Sequence, residues 1–365
     1  MIQNEIEPRD GLYEGHMTLD VPATEQAMRG VLAEHFNGGD DKGCVAALAH
    51  ADGDPVIVAH GTDDAGQMFS ANTRFPVASI TKMATALAVL RLIDRGQVGL
   101  DQPLSDVLGD VPAAQPGVTL RRLLSHTSGF QEPLVWEPHH TWHDLEQSWL
   151  ASAPADPGGR FEYSNLGYCI LGVVVQTLTG EPWALALTNL VLRPLQMQAS
   201  IGDPVPANLP TLGGNPNFGH FRKRDWLALG LPDSGLVSTV SATLSLVEAF
   251  AGYAAEWRLA LVQEATTPQT AELPVAGHAS PPWGLGVQIR GDQDLHPVET
   301  WTPRGASPAS FGHQGASGGL VWHDPQSHVS VAFFTSHDAS RPNWQFAGRY
   351  LLGGRLLACA KVKEE

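Results

Sequence analysis

Phe75-Pro76-Val77-Ala78-Ser79-Ile80-Thr81-Lys82 is the stretch on which the reading of this chain turns. Lys82 is one of five lysines, and the other four (Lys42, Lys223, Lys361, Lys363) sit in polar or terminal segments. Lys82 instead opens an apolar helix, predicted over 79–95, with the stripe Ile80, Met83, Leu87, Leu90 and Ile93 and a stop at Gly96. Positions i and i+3 share a helix face, so this spacing brings the Ser79 oxygen and the Lys82 amine together at the helix N-terminus. An amine there can take a serine's proton, and a helix N-terminus favours negative charge. The plain alternative is an N-cap serine followed by a surface lysine. The tetrapeptide alone does not separate the two.

Two later segments do. In Pro157-Gly158-Gly159-Arg160-Phe161-Glu162-Tyr163-Ser164-Asn165, a turn signal presents Tyr163 and Asn165 just before the apolar run 166–178, which is predicted to be a buried helix. This is the single Y-x-N of the chain. Tyr163 is a candidate acid/base and Asn165 a candidate hydrogen-bond donor to substrate. The plain reading is a packed tyrosine with a partner for its hydroxyl, and Asn165 as an N-cap. Phe311-Gly312-His313-Gln314-Gly315-Ala316-Ser317-Gly318-Gly319-Leu320-Val321-Trp322 holds the single H-x-G. Glycines in a strand pattern often mark close approach of a ligand or another backbone. A strand edge there can offer a backbone N–H to an oxyanion. The plain reading is a glycine-rich hairpin.

With S-x-x-K, Y-x-N and H-x-G each occurring once and in this order, the chain resembles the serine β-lactamase and penicillin-binding-protein superfamily. It is most similar to the class C-like branch of β-lactamases, DD-peptidases, D-aminopeptidases and family VIII esterases. Leu123-Leu124-Ser125-His126-Thr127-Ser128-Gly129 and Ser234-Gly235-Leu236-Val237-Ser238-Thr239 resemble two further segments of that family. In related S-x-x-K sites the serine is the nucleophile. The resemblance implies an α/β fold, an antiparallel sheet flanked by helices with a large, mostly helical insertion and a site in the cleft between the two parts. It also implies an oxyanion hole made by the backbone N–H groups of Ser79 and Ala316.

Gly315-Ala316-Ser317-Gly318-Gly319 formally matches the G-x-S-x-G elbow of α/β-hydrolases. That elbow needs a helix after it, whereas Leu320-Val321-Trp322-His323-Asp324-Pro325 reads as a short strand ending in a turn. Ser317 is therefore not expected to be the nucleophile. His139-His140-Thr141-Trp142-His143 looks like a metal cluster, but neighbouring side chains diverge and no Cys or HExxH spacing supports zinc, so a polar loop is expected. That loop could still line the cleft mouth with Trp136 and Trp142. His126 reads as structural. Trp283, Trp301 and Trp322 are candidates to shape an acyl pocket.

At 365 residues, 43% of them hydrophobic and 16% charged, the chain is expected to be globular with a large core. A net charge of −16, with no basic run beyond Arg222-Lys223-Arg224, argues against nucleic acid and anionic lipid as partners. The three cysteines, Cys44, Cys169 and Cys359, give no disulfide framework. No basic-then-apolar leader opens the sequence and no stretch reaches membrane-span length, so a cytoplasmic location without membrane association is expected. The anticipated organisation is an N-terminal arm (1–20), an α/β part (21–100 with 275–365) and a mostly helical part (101–274). The hairpin 44–60 and the strands 284–290, 311–322 and 329–336 are expected to form one antiparallel sheet, with a terminal helix over 344–360.

The chemistry expected from these residues is acyl transfer. Ser79 attacks an ester, amide or lactam carbonyl, and Lys82 and Tyr163 share the proton work. Asn165, His313, Gln314, Gly315 and Ala316 bind substrate, without metal or cofactor. His313 and Gln314 stand where many relatives carry Lys-Thr, which removes a permanent cation and a hydroxyl. Because histidine titrates near neutrality, charge at His313 is expected to depend on pH. The departure favours an esterase. A D-stereospecific peptidase, a weak β-lactamase and an inactive penicillin sensor are the alternatives. The oligomeric state is not legible.

Overall fold

Gly43–His50 is apolar up to its closing histidine and buried along its whole length, a pattern that needs cover on both faces of a sheet. In the computed structural model this strand lies inside a six-stranded antiparallel sheet. The strand order is Gln288–Ile289, Phe311–Gln314, Leu320–Asp324, Val329–Thr335, Gly43–His50, Val56–Gly61. The described residues are 17–36, 42–131, 140–212, 217–218, 221–254, 261–270, 273–275, 278–279, 282–292, 302–337, 344 and 348–364. The first hairpin joins the returning strands through Thr335 opposite Cys44 and Val329 opposite His50, as expected from the sequence.

Side chains alternate across the sheet with period two. Val45, Ala47, Phe311, Val321, Ala332 and Phe334 face one core, shared with most of the helices. Cys44, Ala46, Leu320, Trp322, Val331 and Phe333 face the other, where the helices Val21–His35 and Arg349–Leu357 supply Met28, Leu32, Tyr350 and Leu356. The helices Asn165–Thr179 and Val240–Ala251 lie in sequence between the first hairpin and the returning strands, and both contribute to the first core. Among the described residues no single helix is long and apolar enough to cross a membrane.

Some expected elements differ in extent. The segment 311–322 is a hairpin of two strands, because Gly315 to Gly318 turn the chain. The segment 284–290 contributes only Gln288–Ile289 as strand. Residues 1–16, Trp136, His139 and Trp301 lie outside the described residues. Helix Thr81–Asp94 is buried nearly all round rather than along one stripe. Alanines at 84, 86 and 88 let neighbours close on its other faces, and a helix apolar on every side belongs in a core.

Candidate active site

Ser79 sits on a 3-10 turn, Ala78–Ile80, and the α-helix proper begins at Thr81. The tighter start does not separate the pair: Lys82 Nζ lies 3.4 Å from Ser79 Oγ. Ala78 is left-handed, at φ 48°, so local strain is stored one residue before the serine.

Lys82 is fully buried. Its Nζ donates to Asn165 Oδ1 at 2.7 Å and to the Asp233 carbonyl oxygen at 3.0 Å. The Asp233 carboxylate lies 4.0 Å away, and the Tyr163 ring centroid 5.1 Å away. The lysine thus touches the Y-x-N motif and Asp233, the residue just before the segment 234–239.

That segment is laced to the nucleophile helix. Thr85 Oγ1 donates to the Pro232 carbonyl oxygen at 2.5 Å, Leu236 N donates to Thr81 Oγ1 at 3.0 Å, and Val77 N donates to the Leu236 carbonyl oxygen at 3.0 Å. Gly172 makes room for it, since a Cβ there would collide with the Pro232 ring. Asp233 is buried, and the Cys169 thiol donates to its Oδ1 at 3.6 Å.

Ser164, not Asn165, caps the helix Asn165–Thr179, accepting from Gly167 N. Asn165 is the first helical residue, and the lysine fixes its amide orientation by claiming the oxygen. The Ser164 N–H is taken by His126 Nδ1 at 3.0 Å, and the His126 ring stacks on Tyr163 with centroids 4.3 Å apart. Trp283 stands edge-on to His126, Tyr163 and His313. Burial, with Lys82 close by, pushes the His126 imidazolium equilibrium well below its ordinary range, so this ring is neutral. His126 is thus structural, as expected, and the element it holds is the tyrosine motif.

His313 lies on the same face of the sheet as this aromatic group. Burial, with the Lys82 charge adding to it, lowers its pKa to about 3. The expectation of a pH-dependent charge at this position is therefore corrected: His313 stays neutral through the physiological range. Its Nδ1 lies 2.7 Å from the Gln314 carbonyl oxygen, which can only accept, so Nδ1 carries the proton and Nε2 keeps a lone pair.

Gln314 needs the opposite correction. One residue along a strand, its side chain crosses to the other face, where the Tyr350 hydroxyl donates to Oε1. Its side chain is not placed to bind a substrate held beside Lys82. Trp322 is fully buried in the second core, on that same far face, and does not line an acyl pocket near Tyr163.

Gly315 meets the nucleophile turn directly. A Cβ there would fall inside the envelope of the Val77 carbonyl oxygen, so the H-x-G strand and the serine turn touch backbone to backbone. The Arg349 guanidinium holds the Gly315 carbonyl oxygen at 2.8 Å from behind. Ala316 is exposed, and among the described residues no acceptor takes its backbone N–H. Ser317 is buried, in the turn before the strand Leu320–Asp324, with no helix following it. His140 and His143 flank Thr141, which caps the helix Trp142–Leu150 in a reciprocal box with Asp144. A cavity of about 440 Å³ lined by Asp63, Phe69, Arg74 and Pro206 contains none of the residues discussed above.

The fold is that of a known class. Residues 32–353 match the β-lactamase family model, and the chain belongs to that family. It is 34% identical over 195 residues to esterase EstB of Burkholderia gladioli, covering 47% of this chain and 49% of that one, so the match spans about half the length of that curated relative. A solved β-lactamase from Mycobacterium bovis is similar over 89% of this chain and 97% of its own, with 27% identity and a TM-score of 0.61. A D-amino acid amidase from Ochrobactrum anthropi SV3 shares the fold over 92% of this chain and 98% of its own, with 20% identity and a TM-score of 0.71.

Proposed function

We propose that this protein is a serine hydrolase that cleaves esters or small amides through an acyl-enzyme on Ser79, and that its preferred substrates are neutral esters. The observation that carries the reading is a fully buried lysine amine 3.4 Å from a hydroxyl at the start of a helix, with Tyr163 and Asn165 on its other sides.

In this mechanism Ser79 Oγ bonds to the substrate carbonyl carbon while its proton passes to the Lys82–Tyr163 pair. The carbonyl oxygen becomes an oxyanion held by the backbone N–H groups of Ser79 and Ala316, a pairing supported by the contact between nearby Val77 and Gly315. The pair returns the proton to the leaving oxygen or nitrogen as that bond breaks. Water then repeats the sequence on the acyl-enzyme and releases the acid. Asn165, its oxygen held by Lys82, is the side chain assigned to position the substrate.

The ester preference rests on His313. Neutral and carrying a lone pair at Nε2, it supplies no cation for the carboxylate of a β-lactam or a peptide C-terminus. An ester without a carboxylate loses nothing by this. The similarity to an enzyme named as an esterase supports the same choice. Hydrolysis of p-nitrophenyl acetate and butyrate, nitrocefin and D-alanyl p-nitroanilide by purified protein, each with Ser79→Ala as control, tests the reading. The p-nitrophenyl esters are expected to give the highest kcat/KM, with Ser79→Ala inactive. A protein that turns over none of them, or nitrocefin fastest, contradicts it.

A further inference from the structure

The peptide unit between Gly315 and Ala316 is open at one end and tightly held at the other. Its N–H belongs to Ala316, which is exposed, and among the described residues no acceptor takes it. The Ser79 N–H likewise meets none there. Its C=O belongs to Gly315, and both lone pairs of that oxygen are used. Gly318 N donates to it at 3.0 Å, closing the turn, and Arg349 Nη1 donates to it at 2.8 Å. A peptide unit is planar and trans, so its C=O and N–H point in opposite directions. The guanidinium therefore stands at one end of the unit and the open donor at the other.

The mount is rigid. Arg349 and Tyr350 open the helix Arg349–Leu357 and hold consecutive residues where strand meets turn. Tyr350 donates to the Gln314 side chain, and Arg349 to the Gly315 main chain. Leu352 and Leu356 of that helix are fully buried in the second core, and Gly354 lies where a Cβ would overlap the Arg304 carbonyl oxygen. Arg349 itself is 2% exposed. Burial lowers its guanidinium from the ordinary value, but arginine keeps its proton in proteins, so a full positive charge lies behind the strand. A charge-assisted hydrogen bond is stronger in so dry a place than at the surface. Electron density drawn toward the carbonyl oxygen leaves the amide hydrogen more positive, as in any chain of hydrogen bonds that polarise one another. The charge is also felt in the cleft. After burial and Lys82, Arg349 is a further cause of the lowered His313 pKa.

We propose that Arg349 is a positioning residue for the oxyanion hole: its guanidinium fixes and polarises the Gly315–Ala316 peptide from the carbonyl side, and so makes the Ala316 N–H a better donor to the developing oxyanion. The inference rests on the serine-hydrolase reading and deepens it. Arg349 touches neither substrate nor nucleophile and moves no proton. It acts only through the peptide that it holds.

Two measurements test this. The first compares p-nitrophenyl acetate with its thiono analogue, in which sulfur replaces the carbonyl oxygen. Sulfur is a weak acceptor, so the thiono ester gains little from an oxyanion donor. Removing one such donor costs about 10²–10³-fold in kcat, and weakening it should cost less. In Arg349→Met, kcat/KM for the oxygen ester should fall about tenfold further than for the thiono ester. Arg349→Lys, which keeps a buried cation, should return the ratio toward wild type. A loss shared equally by the two esters would show a merely structural arginine and overturn the proposal. The second measurement does not depend on a variant at 349 folding. Gly305-Ala306 and Gly315-Ala316 are the two Gly-Ala pairs of the sequence. Glycine ¹³C′ with alanine ¹⁵N labelling therefore selects two amide signals, and that of Ala316 is the one lost in Ala316→Ser. When Ser79 is phosphonylated, the Ala316 amide proton should move downfield as it meets the phosphoryl oxygen. An unmoved signal overturns the proposal, because there is then no donor for Arg349 to set. Failure of the serine-hydrolase reading appears separately, as wild-type protein that neither takes up the phosphonate nor hydrolyses either ester.

Discussion

Gly315→Ala is the substitution that most sharply probes how the site is assembled. The new Cβ would overlap the Val77 carbonyl oxygen and also meet the Val77 carbonyl carbon at 3.2 Å and Ser317 Oγ at 3.3 Å. Two of these three atoms are backbone, so no rotamer change relieves the clash. Restoring an ordinary carbon–oxygen separation of about 3.3 Å requires the strand and the serine turn to part by about 1 Å. Val77 is two residues before Ser79 and Gly315 one before Ala316, so the displacement falls between the two proposed oxyanion donors. A 1 Å error in such a site costs about 10²-fold in rate, and loss of one donor costs about 10²–10³-fold in kcat. The overpacking itself should cost about 1–3 kcal/mol of stability, within the margin of a typical domain. The expected result is a folded protein with a lower Tm and kcat for p-nitrophenyl acetate reduced by about 10²-fold or more, measured by thermal melting and steady-state kinetics. Wild-type kcat in a folded Gly315→Ala variant would refute the role given to this backbone contact.

Three further outcomes follow from the same geometry. His126→Phe keeps a ring against Tyr163 but leaves the Ser164 N–H without its acceptor, so a loss of about 1–3 kcal/mol in denaturant unfolding is expected; kcat should fall while KM changes little, and unchanged stability would show that the bond contributes nothing. Because His313 stays neutral, the ratio of kcat/KM for p-nitrophenyl acetate to that for nitrocefin should be the same at pH 6 and pH 8, and a selective rise of nitrocefin turnover at pH 6 would show that the ring does gain charge. Acid should unfold the protein early. His313 and His323 are lowered to about 3 and His126 well below its usual value, so between there and about 6.5 the unfolded chain binds more protons, and the stability present above 6.5 is lost as pH falls. Glu248, raised to about 7 by burial, works in the opposite direction between about 4.5 and 7, for one group against these three and His50, which burial also lowers. Each group contributes up to about 1.4 kcal/mol per pH unit, so Tm should drop steeply from pH 6.5 to 5; a flat Tm there would contradict the burial of these rings.

The parts of the site that were legible in the sequence are those set by short spacing. Ser79 and Lys82 meet because they are three residues apart on one turn, and the turn being 3-10 rather than α did not matter. The antiparallel sheet was legible because its strands are apolar and bounded by turn residues. Asp233 was not, since it is brought to Lys82 by contacts between distant segments, Thr85 with Pro232, Leu236 with Thr81 and the Pro232 ring with Gly172, which no local pattern reveals. The charge state of His313 depends on burial, which a residue type does not announce. Gln314 and Trp322 are different: strand alternation already puts 313 and 314 on opposite faces, and that parity was the available signal for assigning only His313 to the cleft.

The central claim is that Ser79 is the nucleophile, and covalent capture tests it most directly. Intact-mass analysis after treatment with a fluorophosphonate should show a single adduct, located by peptide mapping at Ser79. The adduct should be absent in Ser79→Ala and retained in Ser317→Ala. An adduct that survives Ser79→Ala and disappears in Ser317→Ala would contradict the account.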